Sequence, residues 1–275
     1  MPLVEPEDVP VFILCGGLGT RLGEAAEGMP KPMVTIGDRP IVAHIMQTYR
    51  RHGYRRFVLC AGYRAEVLST YFLSYAGIAN DFTIDMGTRE VAYHQSKAAP
   101  DWEVTIAHTG LGTQTGARIA QAAARHLGDV EHFAVTYGDG LTDADLGAEL
   151  DFHLGHGRIG TSLAINPVSR FGMLGLDGGR VHSFSEKPTE EATWINGGFF
   201  LFRRRFMDYL DAAPDCVLEQ APLRRLTEDG ELMAFQHQGF WSCMDTPRDR
   251  DGMRSLWESG AAPWQGMPGR ADGTG

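Results

Sequence analysis

Phe12-Ile13-Leu14-Cys15-Gly16-Gly17-Leu18-Gly19-Thr20-Arg21-Leu22, followed by Pro30-Lys31-Pro32-Met33, is the stretch on which the reading of this chain turns. An unbroken apolar run, Val11–Cys15, marks a buried strand. It runs into a glycine loop that ends on an arginine, and a lysine follows between two prolines. Glycines let a backbone turn sharply and bring its N–H groups close to a ligand. Clustered N–H donors bind anions, and Arg21 and Lys31 add full positive charges. The combination is suited to gripping a polyphosphate.

Two familiar nucleotide motifs are set aside. No Gly-x-x-x-x-Gly-Lys-Ser/Thr run occurs anywhere in the chain. A dinucleotide fingerprint begins at Gly17-x-Gly19, but its third glycine position is Leu22. Asp38 lies at the distance of a ribose-binding acid, yet Pro30 and Pro32 interrupt the helix that motif requires. A dehydrogenase is the lesser alternative.

Of the 25 Lys and Arg residues, lysine stands only at positions 31, 97 and 187. Lys31 and Lys187 each precede a proline. Where arginine serves nearly everywhere else, a lysine marks a place that needs a compact ammonium rather than a planar fork. Lys97 reads as an ordinary surface residue.

The chain has 275 residues, enough for one large α/β domain. Its formal charge of -10 argues against nucleic acid or an anionic membrane as partner. No apolar run approaches the ~20 residues of a membrane helix, and the acidic, proline-containing start is unlike a signal peptide. Cys15, Cys60, Cys216 and Cys243 are widely spaced and read as reduced core residues of a cytoplasmic protein. Residues 1–10 and 265–275 read as tails, the latter disordered, around a single domain at 11–264.

Within that domain the first 75 residues alternate strand and helix, which favours a parallel sheet covered on both faces. Phe82–Met86, Val91–His94 and Glu103–His108 alternate like antiparallel strands. Helices are expected at Asp143–His156 and Arg204–Ala212, among others. The fold class expected is α/β, a mixed, mostly parallel sheet flanked by helices, with antiparallel additions.

Asp139 follows an apolar strand, in Tyr137-Gly138-Asp139-Gly140. Asp245 lies between a short strand and a helix, where it could serve as a helix cap. Two such carboxylates beside phosphate oxygens suit Mg²⁺, which takes few protein ligands. Thr115-Gly116-Ala117-Arg118 opens a helix, as a capping threonine and a surface arginine or as part of a site. His153 and His156, three apart on a helix with no third ligand evident, are read as surface residues.

Together these segments resemble the sugar-1-phosphate nucleotidyltransferases, whose signature is a Gly-Gly-x-Gly-x-Arg-Leu loop followed by Lys-Pro. The cytidylyl branch, which makes CDP-glucose, is the most similar. The resemblance runs through Thr115–Arg118, Tyr137–Gly140, Arg170-Phe171-Gly172, Glu186-Lys187-Pro188, Asn196–Phe200 and Met244–Asp249 to Ala262-Pro263-Trp264. It implies a nucleotide-diphospho-sugar transferase-like fold and attack of a sugar-1-phosphate oxygen on the α-phosphorus of CTP. Rivals are another base (UTP or dTTP), a modified sugar, or a non-catalytic sugar-nucleotide sensor.

By the same resemblance, Leu14, Gly16, Gly17, Gly19, Thr20 and Arg21 surround the nucleotide, with Gly116, Arg118 and Gly138. Arg21, Lys31 and Lys187 are the catalytic cations. Glu186, Lys187, Asn196 and Gly197 hold the sugar phosphate, and Asp139 and Asp245 hold Mg²⁺. A homo-oligomer is expected. The glycine-rich stretch Gly110–Gln114 departs from the family pattern and bears on which base is held.

Overall fold

A computed structural model describes residues 4–19, 22, 28–94, 100–166, 173–185 and 194–266. The central sheet has seven strands: β1 (Val11–Cys15), β2 (Arg56–Ala61), β3 (Glu103–His108), β4 (His132–Tyr137), β5 (Gly160–Ile165), β6 (Ile195–Arg203) and β7 (Leu232–His237). Their spatial order is β7-β5-β6-β4-β1-β2-β3. Every neighbouring pair is parallel except the two that β6 makes, with β4 and with β5.

The apolar run of β1 is unbroken because the sheet is covered on both faces. Val11, Ile13 and Cys15 join one core cluster, and Phe12 and Leu14 join the other. On the first side lies α1 (Ile41–Arg51), whose Ile41, Val42, Ile45, Met46 and Tyr49 recur at helical spacing and are buried. On the second, α2 (Thr115–His126) contributes Ile119, Ala122 and Ala123. Fully burying a side chain such as Phe12 stabilises by about 1.5–3 kcal/mol.

Parallel direction gathers the carboxyl ends of β1, β2, β3 and β4 at one edge of the sheet. Because β6 runs the other way, its beginning, Ile195-Asn196-Gly197, lies at that same edge. This is where open α/β sheets hold ligands.

Several expectations are corrected. Glu103–His108 pairs parallel with β2, Glu103 beside Arg56 and His108 beside Ala61. As an edge strand it has a half-open surface, so its alternation records burial and not direction. Arg204–Tyr209 forms only a short 3₁₀ helix. The helix expected from Asp143 starts at Leu146, capped by Asp145, whose carboxylate accepts from the N–H groups of Gly147 and Ala148 at 3.0 and 2.9 Å. Residues 6–10 are not loose: Pro6–Asp8 makes a 3₁₀ turn and Val9 is buried.

The histidines also differ from expectation. His153 is wholly buried, its Nε2 3.2 Å from Nδ1 of His132 and its Nδ1 2.8 Å from Oγ1 of Thr161. His156 reaches the same Thr161 hydroxyl at 2.7 Å. Cys15 and Cys60 are core thiols as expected, but Cys216 and Cys243 are only half-buried.

Candidate active site

The loop after β1 and the short turn that carries Lys31 come together at the sheet edge. Pro30 and Pro32 fix that turn: Met33 N–H donates to Pro30 C=O at 2.8 Å and Val34 N–H to Lys31 C=O at 3.1 Å. The ammonium therefore leaves a rigid base, as proline's locked φ provides.

Lys31 Nζ contacts one carboxylate oxygen of Asp139 and lies 2.6 Å from Oδ1 of Asp245. The two acids come from distant parts of the chain, and a small antiparallel ribbon joins them. Gly140–Thr142 pairs with Trp241–Cys243, Gly140 opposite Cys243, and Met244 N–H donates to Asp139 C=O at 2.9 Å. Asp245 is not the cap of the helix that follows. Thr246 fills that role, in a reciprocal capping box with Asp249. Asp245 therefore remains directed at Lys31. Burial alone lowers the lysine pKa, but the field and hydrogen bonds of Asp139 and Asp245 outweigh it and raise the value. The ammonium stays charged throughout the neutral range.

Two cavities share the two carboxylates of this trio, and Lys31 lines the larger. The larger, about 510 Å³, is lined by Leu14, Gly16, Gly17, Gly19, Arg118 and Gly138, together with Leu111–Thr115, Tyr137, Asp139 and Asp245. The smaller, about 240 Å³, is lined by Thr136, Tyr137, Gly140, Asn196–Gly198, Trp241 and Cys243, and again by Asp139 and Asp245. Trp241 is anchored there by donating its indole N–H to Gly197 C=O at 2.7 Å.

Arg118 is not a surface residue. It is buried, and it donates to Gly16 C=O at 3.0 Å, to Gly110 C=O and Thr109 Oγ1 at 2.7 Å each, and to Leu111 C=O at 3.3 Å. It ties the Gly110–Gln114 stretch to the glycine loop and so forms the floor of the larger cavity. A Cβ at Gly16 would overlap its guanidinium, so this approach requires glycine. Burial pulls the Arg118 pKa down from its usual value.

The family model for nucleotidyl transferases matches residues 11–246. The chain belongs to the nucleotidyl transferase family. Glucose-1-phosphate cytidylyltransferases of Salmonella typhi and Salmonella typhimurium are each 44% identical over 253 residues, covering 92% of this chain and 97% of theirs. Among solved structures, HddC from Yersinia pseudotuberculosis superposes with a TM-score of 0.63 at 22% identity, covering 90% of this chain and 99% of that one. The enzyme thus has the nucleotide-diphospho-sugar transferase fold expected of it.

Enzymes of this family generally use a divalent metal. The donor set of this enzyme fits one. Two carboxylates already converge on a single cation, the Lys31 ammonium, and both are hard oxygen ligands of the kind Mg²⁺ takes. Among the described residues no group of three or more His, Cys, Asp or Glu gathers to enclose a metal. Substrate oxygens and water would complete the shell.

Most of the expected site residues meet at this edge. Leu14, Gly16, Gly17, Gly19, Arg118 and Gly138 line the larger cavity, Asn196 and Gly197 the smaller, and Asp139 and Asp245 both. Gly116 lies behind the wall, against Cys216. Thr20, Arg21, Glu186 and Lys187 lie outside the described residues. Of the other lining residues, the sequence reading gives Thr115 only as a cap or part of a site and Cys243 only as a core thiol, and it passes over Tyr137 and Trp241. Tyr137 and Thr115 stood inside quoted motifs, but no signal marked Trp241.

Proposed function

We propose that this enzyme transfers the cytidylyl group of CTP to α-D-glucose 1-phosphate, giving CDP-glucose and pyrophosphate. The observation that carries the reading is the Lys31–Asp139–Asp245 trio at the junction of two cavities. The larger has the size for a nucleotide and the smaller for a hexose phosphate. The identity of the Salmonella relatives over nearly their whole length supports the choice of CTP and glucose 1-phosphate.

The chemistry needs no general base. A sugar phosphate is largely dianionic at neutral pH, since its second pKa is about 6. A phosphate oxygen of the sugar phosphate forms a bond to the α-phosphorus. The bond from that phosphorus to the oxygen bridging toward the β-phosphate breaks, and pyrophosphate leaves with the electron pair. The task is to bring two polyanions together and to balance charge, which positioned cations do best.

Gly16, Gly17 and Gly19 hold the triphosphate through backbone N–H groups, and Arg21 neutralises it. Lys31 is the charge nearest the reacting phosphate, and Asp139 and Asp245 set its position. Asp139 and Asp245 would also hold Mg²⁺, which would supply further charge neutralisation at the phosphate oxygens. Lys187 receives the incoming phosphate, with Glu186, Asn196 and Gly197 toward the sugar hydroxyls. Residues 11–264 act as one domain built around the seven-stranded sheet.

Self-association belongs to this reading. The hairpin of Asp81–Ile84 and Val91–His94 leaves Phe82, Ile84, Val91 and Tyr93 exposed, with Met86 in its turn. A second copy of the chain is the partner that such a surface fits. A cytoplasmic location accords with four free cysteines. No helix among the described residues is long and apolar enough to cross a membrane.

Incubating the purified enzyme with CTP, glucose 1-phosphate and Mg²⁺ tests the activity. Stoichiometric CDP-glucose and pyrophosphate are expected, identified by chromatography and mass. Absence of a sugar nucleotide under these conditions would contradict the reading.

A further inference from the structure

Tyr137 is the wall that the two cavities share, and its surroundings fix it more firmly than packing alone requires. Its hydroxyl donates to one carboxylate oxygen of Glu219. The other oxygen of Glu219 accepts from Thr115 Oγ1 at 2.9 Å, and Thr115 Oγ1 in turn accepts from Leu218 N–H at 2.9 Å. The segment bearing Glu219 is stitched to the start of α2, with Gln114 N–H donating to Pro214 C=O at 2.8 Å and Ala117 N–H to Cys216 C=O at 3.0 Å.

The opposite side of the ring lies against Gly198. That residue has φ of 78°, and a Cβ there would overlap the ring. The Asn196 side chain lies beside the Tyr137 hydroxyl, and its Oδ1 accepts from Gly198 N–H at 2.8 Å. With its proton committed to Glu219, what the hydroxyl offers the smaller cavity is lone pairs. Those can accept from an alcohol.

Resting on the assignment of the smaller cavity to the sugar phosphate, we propose that Tyr137 is a specificity-determining residue for the sugar, and that Glu219 is the positioning residue that holds it. Glu219 orients the hydroxyl as an acceptor for a sugar hydroxyl and keeps the ring upright between the two substrates. The dependence should fall on the acceptor, because Asn196 and Gly198, which Tyr137 touches, both line the smaller cavity.

The test is a double-mutant cycle in steady-state kinetics. Glu219→Ala should raise the KM for glucose 1-phosphate about tenfold, the worth of one charge-assisted hydrogen bond, with the KM for CTP little changed. Glu219→Gln should restore most of it, since an amide oxygen still accepts from the hydroxyl. Tyr137→Phe should match Glu219→Ala, and the double variant should be no worse than either. Tyr137→Phe should also narrow the preference for glucose 1-phosphate over xylose 1-phosphate, which lacks the 6-hydroxymethyl group, or over galactose 1-phosphate, the 4-epimer. Additive effects, equal rises in both KM values, or an unchanged sugar preference would overturn the proposal. A wild-type enzyme inactive with CTP and glucose 1-phosphate would instead overturn the assignment on which it rests.

Discussion

Lys31 Nζ lies 2.6 Å from Oδ1 of Asp245, a residue 214 positions further along the chain, and touches Asp139 as well. The site is thus a charged unit: one ammonium between two carboxylates. A lone lysine there would meet the triphosphate as a free cation. This lysine is held in place by two partners, at a carboxylate pair that can also take a metal.

The first prediction concerns those acids. Asp139→Asn and Asp245→Asn should each lower kcat by at least about a hundredfold, the scale seen when a group that organises charge at a reacting centre is removed. Circular dichroism and thermal melting should stay near wild type, because both side chains are partly exposed and the ribbon joining them is held by backbone bonds. Excess EDTA should abolish turnover, and Mg²⁺ should restore it. Full activity in EDTA would refute the metal assignment.

Arg118 should behave differently. Arg118→Met takes the guanidinium from the buried Thr109 hydroxyl, from the more exposed carbonyls of Gly110 and Leu111, and from Gly16 C=O, which keeps only the Tyr63 N–H at 3.3 Å. Each buried group so orphaned costs about 1–3 kcal/mol. The melting temperature should fall, and the KM for CTP should rise as the cavity floor loosens. A variant as stable as wild type would show that water replaces the guanidinium at no cost.

For the lysines, sequence scarcity supplies the expectation. Lys187→Ala should cost about tenfold or more in kcat/KM for the sugar phosphate, the loss of a charge-assisted bond. Lys187→Arg should recover only part, because the fork has a different reach. Lys97→Ala should be near neutral. Equally mild effects at 97 and 187 would show that scarcity carried no information.

Stability should peak in mildly acidic to neutral solution. Burial lowers the pKa of His44 to about 4 and of His153 to about 3, from an unfolded value of 6.5. The unfolded chain therefore binds more protons below pH 6.5, and these two groups withdraw stability as pH falls from 6.5 toward those folded values. Burial raises the Glu149 pKa from 4.5 to about 8, so its contribution is complete below 4.5 and is lost as pH rises to 8. Between pH 4.5 and 6.5 the two histidines outweigh the single acid, and above 6.5 the acid acts alone. Denaturant melts across pH 4–9 should show the maximum near 6.5, and Glu149→Gln should flatten the alkaline side. A maximum above pH 8 in wild type would contradict this.

What the sequence disclosed divides along the range of the interactions. The glycine loop, Lys31 between its prolines and Asp139 at the end of β4 were legible because each depends on neighbours in the chain. Asp245 was legible only as an acid between strand and helix. Its approach to Asp139 depends on the pairing of Gly140–Thr142 with Trp241–Cys243, about a hundred residues apart. Tyr137 and Glu219 lie 82 residues apart, and no pattern links them. His153 and His156 were misread because polar residues on a helix ordinarily face water. Here His153 is bonded to His132 and Thr161 inside the core, and the half-buried His156 to the same Thr161 hydroxyl. The direction of β3 was misread because an edge strand alternates whichever way it runs.

The central claim is that CTP is the nucleotide and that a sugar 1-phosphate is its acceptor. The most direct measurement is pyrophosphate release with saturating glucose 1-phosphate, giving kcat/KM for CTP, UTP, dTTP, GTP and ATP in parallel. The account predicts that CTP is preferred and that release ceases when the sugar phosphate is omitted. A preference for UTP or dTTP, or release without the sugar phosphate, would contradict it.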